Sequence, residues 1–241
     1  MSPRPFAGRI IGTEDRAAEQ NRARLDLNRV LALNLIGPPG AGKAALVRRT
    51  AEALAGRARV AVVSTSAASD PVSELPTVRL DVGRAPHVTP ADLGRALASL
   101  PLHELDLVVV ENVGDFVCPA TYRLGTHLNV RISTPFEDDR RPHEHPQLFT
   151  GLDALVLNKT DRMAEGGFDS AIFRRALDAL NPNLVLIPVS CATGSGIAEW
   201  AAWLDRSRAT RVLSRRSEPS VPARPDARAA VRRARRDTRL S

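Results

Sequence analysis

Apolar residues recur along the chain in short runs separated by polar stretches. Val30 to Ile36 is such a run. It stops at Gly37, which predicts a buried strand feeding a loop. Further runs at Arg59 to Val63, Thr77 to Val82, Asp106 to Val110, Leu128 to Ile132, Ala154 to Leu157 and Leu184 to Val189 predict more strands. Helical stretches alternate with them: Ala44 to Leu54, Pro90 to Leu100, Asp169 to Leu180 and Ile197 to Leu204. Residues 14 to 28 have the same character, with Ala17, Ala18 and Leu25 on one side. Pro and Asp in the first turn after residue 89 suit a helix start. Ser64 to Pro76 is polar and rich in breakers, as a switch loop would be. Short apolar strands alternating with helices predict an α/β fold whose largely parallel sheet is covered by helices on both faces.

The chain of 241 residues suits one large α/β domain. No stretch approaches the roughly 20 apolar residues of a membrane span, and Met1 to Gly12 has no apolar core of a signal peptide. Two cysteines, Cys118 and Cys191, make no disulfide framework, so a reducing cytoplasm is expected. The charge is uneven. Residues 205 to 241 hold 12 Arg against four acidic residues, a net of +8, while residues 1 to 204 are nearly neutral at −1. We therefore expect a flexible N-terminus at 1–13, a nucleotide-binding domain at 14–206 and a basic, disordered tail at 207–241. Arg232, Arg233, Arg235 and Arg236 would suit nucleic acid or an acidic surface. No aromatic residue follows Trp203, so base stacking is unavailable and nucleic acid is not the expected partner.

Of 34 basic side chains only Lys43 and Lys159 are lysine, and both stand in nucleotide-binding patterns. Lys43 closes Gly37-Pro38-Pro39-Gly40-Ala41-Gly42-Lys43, followed by Ala44 and Ala45. In such a phosphate loop the backbone N–H groups converge on phosphates and a thin lysine stem brings a compact charge to them. Serine or threonine normally follows the lysine and holds Mg²⁺; the Ala44 methyl cannot. Lys159 lies in Asn158-Lys159-Thr160-Asp161 after a predicted strand. There the Asp161 carboxylate can accept from guanine N1 and N2, the lysine stem can lie along the base, and Asn158 can tie this loop to the phosphate loop. Ser190-Cys191-Ala192 follows the last strand, as a loop supporting guanine O6 would. Glu111 and Gly114, in Glu111-Asn112-Val113-Gly114, end another strand facing the crevice where open α/β sheets bind nucleotides. Each segment alone also reads as an ordinary turn. Their order, each at the carboxyl end of a strand, predicts a guanine-nucleotide site in a P-loop NTPase-type sheet. His87 and Cys118 offer imidazole and thiolate, a pair suited to Ni²⁺ or Zn²⁺. The same two residues also read as an exposed histidine and a buried cysteine. His143 and His145 flank Glu144 in a proline-bounded loop that reads as solvated.

The stretch Glu111-Asn112-Val113-Gly114-Asp115-Phe116-Val117-Cys118-Pro119-Ala120 closely resembles the E-N-V-G-N-L-V-C-P-A block of HypB-type hydrogenase nickel-incorporation GTPases. Leu33-Asn34-Leu35, Leu157 to Asp161, Phe168-Asp169 and Asn181-Pro182 are similar to that family too, and the resemblance spans about residues 14 to 204. It implies a cytoplasmic GTPase and metallochaperone that helps load nickel into [NiFe]-hydrogenase. It also implies a nucleotide- or metal-dependent homodimer, and partnership with hydrogenase maturation proteins and the hydrogenase large subunit. Carried over residue by residue, the family's metal site keeps His87 and Cys118, but Pro86 replaces an expected cysteine. The expected switch aspartate falls on Ser64-Thr65-Ser66, with Asp70 nearby and out of step. The expected catalytic group is thus Lys43, Glu111 and Asp70, and slow hydrolysis follows from the missing hydroxyl. The alternative is a relative that binds without hydrolysing and serves as a scaffold in hydrogenase or urease maturation.

Overall fold

The computed structural model of the protein describes residues 6–65, 75–80, 87–112, 123–165 and 167–217, with side-chain packing from 12 to 211. The elements in chain order are α1 (Phe6–Leu27), β1 (Leu31–Ile36), α2 (Lys43–Leu54), β2 (Val60–Ser64), β3 (Thr77–Arg79), α3 (Pro90–Ser99) and β4 (Leu107–Glu111). They continue with β5 (Leu128–Ser133), α4 (Arg141–Glu144), β6 (Ala154–Leu157), α5 (Ser170–Leu180), β7 (Val185–Pro188) and α6 (Ile197–Ser217). Among the described residues seven strands form one sheet in the order β3-β2-β4-β1-β5-β6-β7. Every adjacent pair is parallel.

The apolar runs of β1, β2, β4 and β6 are continuous because those inner strands are buried on both faces. Leu107 and Val109 of β4 pack with Leu46, Val47 and Leu54 of α2 and with Trp200, Ala201 and Leu204 of α6. Val108 and Val110 face the other way, toward Leu25 of α1 and Leu93, Ala96 and Leu97 of α3. Phe173 and Leu177 of α5 cover Leu155 and Leu157 of β6. Trp200 donates Nε1–H to Thr50 Oγ1 at 2.8 Å, which pins α6 to α2. Thr89 and Asp92 form a capping box ahead of Pro90, fixing where α3 starts.

The strand predictions hold with small shifts at the ends; of the run Thr77 to Val82, Thr77–Arg79 is a strand and residues 81 and 82 lie outside the described residues. Two helical predictions and one loop prediction differ. Helix α1 begins at Phe6, eight residues before the expected start, and α6 continues past Leu204 to Ser217. The segment around His143 folds as the short α4, followed by a 3₁₀ turn at Pro146–Leu148, where a loop was expected. The chain divides into two compact units, one through Asp205 and one from Arg206 onward. In the second, Thr210 Oγ1 donates to Arg206 O at 2.9 Å within the helix. The N-terminal residues 1–5 and the tail from residue 218 lie outside the described residues.

An asparagine ladder, buried at Asn34 and Asn112, crosses the centre of the sheet. Asn112 donates to Asn34 Oδ1 and Asn34 donates to Asn129 Oδ1, both at 3.2 Å. Buried amides of this kind are tolerated because they satisfy one another. Arg131 of β5 is likewise fully buried, with its guanidinium 5.1 Å from the Phe149 ring and Nη2 3.2 Å from Glu137 Oε2.

Candidate nucleotide site

β1 ends at the middle of the sheet, and Gly37 to Lys43 carry the chain from its carboxyl end into α2. Gly37 has no room for a side chain: a Cβ there would stand 2.5 Å from Ile132 O. Gly42 has φ 97°, a left-handed backbone, and a Cβ on it would overlap the Asn158 amide nitrogen. Lys43 folds back over the loop, donating to Gly37 O at 2.7 Å and Pro38 O at 3.1 Å. No side chain caps the start of α2, so its first N–H groups face the loop mouth, where an anion is favoured.

Asn158 is the joint of the site. It is buried at the end of β6, donates Nδ2–H to Ala41 O at 2.9 Å and accepts from Cys191 N–H at 3.1 Å. One side chain therefore ties the phosphate loop, the loop after β6 and the loop after β7. Thr160 adds two bonds to Val189 O, from its N–H at 3.2 Å and its hydroxyl at 3.0 Å. Arg49 of α2 donates to Cys191 O at 2.9 Å and Ala192 O at 3.2 Å. The backbone of Cys191 is thus held on its N–H side by Asn158 and on its carbonyl side by Arg49.

These contacts frame a cavity of about 310 Å³. It runs from Gly42 and Ala45 at the phosphate loop, past Arg48, to Asn158, Lys159, Asp161, Arg162, Cys191 and Ala192. Lys159 has φ 64°, an uncommon backbone for a non-glycine residue and one that recurs at ligand clamps. Burial pushes the Cys191 thiol up from 9.0 to about 11, against the pull of Arg49 and Arg48. A raised thiol pKa favours the neutral form. Its contribution to stability is complete below about pH 9 and is lost as pH rises through 11. In a Cys118→Ser variant at pH 8, we expect iodoacetamide to modify Cys191 about 100-fold more slowly than an unperturbed thiol, because thiolate is the reactive form. Saturating GDP should slow it further. Alkylation at the unperturbed rate would contradict the buried, cavity-lining position.

The structure brings Gly42, Ala45, Asn158, Lys159, Asp161 and Cys191 around one cavity. Pro39 and Gly40 are exposed at the tip of the phosphate loop, and Ala41 is buried beneath it. Ser190 shapes its turn instead of lining the cavity, its hydroxyl accepting from Thr193 N–H at 3.1 Å. Glu111 is buried at the end of β4, in register with Leu35 of β1, two residues before Gly37. His87 precedes Val88, whose N–H donates to Asn112 Oδ1 at 3.0 Å just beyond β4. Asp70, Gly114 and Cys118 lie outside the described residues, as does Pro86. Among the described residues no three His, Cys, Asp or Glu side chains cluster to hold a metal. The residue after Lys43 carries a methyl, and Glu111 is buried at the end of β4, on the strand next to the one that feeds the phosphate loop. This donor set does not fit a Mg²⁺ ion held by a loop hydroxyl. Sequence reasoning missed Arg48, Arg49 and Arg162. No motif marks them, although Arg48 and Arg49 follow the phosphate loop within two turns.

The model of a known family matches residues 31–188: CobW/HypB/UreG, nucleotide-binding domain. The chain belongs to the CobW/HypB/UreG family. Among the relatives of this family member, the hydrogenase maturation factor HypB of Azotobacter vinelandii is 36% identical over 212 residues, 86% of this chain and 70% of that protein. The crystal structure of the hydrogenase maturation factor HypB from Archaeoglobus fulgidus superposes with a TM-score of 0.76 at 26% identity, covering 82% of this chain and 99% of that one. HypB from Helicobacter pylori, solved in complex with nickel, shares the fold with a TM-score of 0.76 at 21% identity, over 82% of this chain and 96% of that one. Within the family fold, Asn158, Lys159 and Asp161 of this member occupy the end of β6 beside the phosphate loop.

Proposed function

We propose that this chain is a GTP-binding maturation factor that assists nickel insertion into [NiFe]-hydrogenase and hydrolyses GTP slowly. The observation that carries the nucleotide part is the continuity of the site. Asn158 joins the phosphate loop to the base-reading loops, and the cavity beside it runs from Gly42 to Asp161. Phosphates take the loop N–H groups and Lys43. The base meets Asp161, Lys159 and the backbone of Cys191 and Ala192. Kinship with hydrogenase maturation factors supports the recipient, and nickel is the cargo. His87 and Cys118 are the proposed cargo ligands, shared between two copies in a homodimer that forms with nucleotide or metal. The partners are hydrogenase maturation proteins and the large subunit of the hydrogenase, in the cytoplasm.

Ala44 favours a second reading on a specific observation. Charge neutralisation by the metal supplies much of phosphoryl-transfer catalysis, and the loop hydroxyl that would hold the metal is missing. A non-hydrolysing member would act by binding alone. Calorimetric titration of the full chain with GDP and ADP, each with and without Mg²⁺, tests the nucleotide assignment. GDP should bind at least about 100-fold more tightly than ADP, because adenine leaves the Asp161 carboxylate unpaired. Equal binding of the two nucleotides, or none, would sink it. Turnover of GTP above that of Lys43→Ala separates the hydrolysing reading from the binding one.

A further inference from the structure

Phe136 is a large hydrophobic residue left 45% exposed in the turn after β5. The turn is firmly built. Glu137 N–H donates to Thr134 O at 3.1 Å, and Glu137 Oε1 accepts from Thr134 N–H at 3.0 Å. Its other oxygen meets Arg131 at 3.2 Å and Arg141 at 3.6 Å. The backbone on either side of Phe136 is therefore anchored to the buried side of β5, while the ring is presented outward.

Two cations stand over that ring. Lys159 Nζ is 5.8 Å from its centroid and Arg162 Cζ is 4.7 Å from it. Both residues also line the cavity beside Asp161. Arg162 is fixed from a second side by Glu165, with contacts of 3.1, 3.0 and 2.7 Å. Lys159 is held in its left-handed backbone at φ 64°. An aromatic face attracts such cations, more strongly once water is excluded. Three separate features, an exposed ring, two convergent cations and a strained lysine, thus meet at the base end of one cavity.

We propose that Phe136 is a positioning residue for base recognition. Its ring sets the ammonium of Lys159 and the guanidinium of Arg162 at the cavity mouth, so the lysine stem is already laid where a purine stacks. This rests on the guanine-nucleotide reading of the cavity. The base closing over the site excludes water from the ring and its two cations, so their attraction strengthens when nucleotide binds. Phe136 then acts through Lys159 and Arg162 and needs no contact of its own with the reacting phosphates.

The test is calorimetric GDP affinity of the full chain carrying Phe136→Ala, Phe136→Leu or Phe136→Trp, with thermal melting as a check on the fold. Phe136→Ala and Phe136→Leu should both weaken GDP about 5- to 20-fold with unchanged melting, while Phe136→Trp should bind as the parent does. Leucine restores apolar bulk without an aromatic face, so a packing role would be rescued by leucine and a cation-holding role would not. The indole of Phe136→Trp should also change its fluorescence on adding GDP and not on adding ADP. Parent-like affinity for Phe136→Ala, or leucine rescuing as fully as tryptophan, would overturn the proposal while leaving the nucleotide site standing. Failure of the parent protein itself to bind GDP would overturn both.

Discussion

Replacing Ala44 with threonine is expected to raise Mg²⁺-dependent GTP turnover by at least about 10-fold. The same change should make nucleotide affinity depend on Mg²⁺. In the parent protein Mg²⁺ should alter GDP affinity less than about threefold, since no loop hydroxyl competes for the ion. The substitution places a hydroxyl in the first turn of α2, directly after Lys43, without disturbing the glycines whose backbone shapes the loop. Steady-state phosphate release and paired titrations with and without Mg²⁺ are the measurements. An inert Ala44→Thr variant would place the deficit elsewhere. Ser64 and Thr65 at the end of β2 are the first candidates, since the family resemblance leads one to expect a switch aspartate there.

Asn158→Ala should cost about 2–4 kcal/mol of stability, because it leaves the Ala41 carbonyl and the Cys191 N–H without their shared partner in a buried joint. For a chain of this size that is a fall in Tm of about 10 °C. GDP binding should be lost at accessible concentrations even where the protein remains folded, since three loops lose their common tether. Asn158→Asp keeps the acceptor for Cys191 and replaces the donor to Ala41 with a negative oxygen facing a carbonyl. It should therefore be at least as damaging. Melting curves with and without GDP decide both points. A variant with parental melting and parental affinity would show that Asn158 is not the joint described.

The strands were legible because a parallel sheet buried on both faces leaves an uninterrupted apolar run, as Leu107 to Val110 illustrates. The phosphate and base motifs were legible because their chemistry is confined to a few adjacent residues. What escaped depends on pairing across long separations. Arg131 looks like a surface charge in sequence. It is buried because Glu137 and Phe149 happen to surround it. Arg49 looks like half of a helix-surface ion pair. Its guanidinium reaches carbonyls 142 and 143 positions away. Asn34 and Asn129 carry no motif, and only the β1–β5 register makes them partners. Helix α1 was undercounted because Phe6 to Gly12 contains glycine and few charges, signals that weigh against a helix when read locally.

The sheet order has a kinetic consequence. β1 is made early, yet its two neighbours are β4 and β5, and Asn158 closes on the phosphate loop from 117 residues away. A nascent chain stopped before β6 has the whole phosphate-loop sequence but lacks the Asn158 bond that ties it to the base-reading loops. Folding must close several long chain loops before the central strand is paired on both sides, which slows it relative to a helical bundle of equal size. Nucleotide capture is thus a property of the nearly finished chain. Guanine nucleotide, by binding the completed joint, would favour the folded state over its late intermediates.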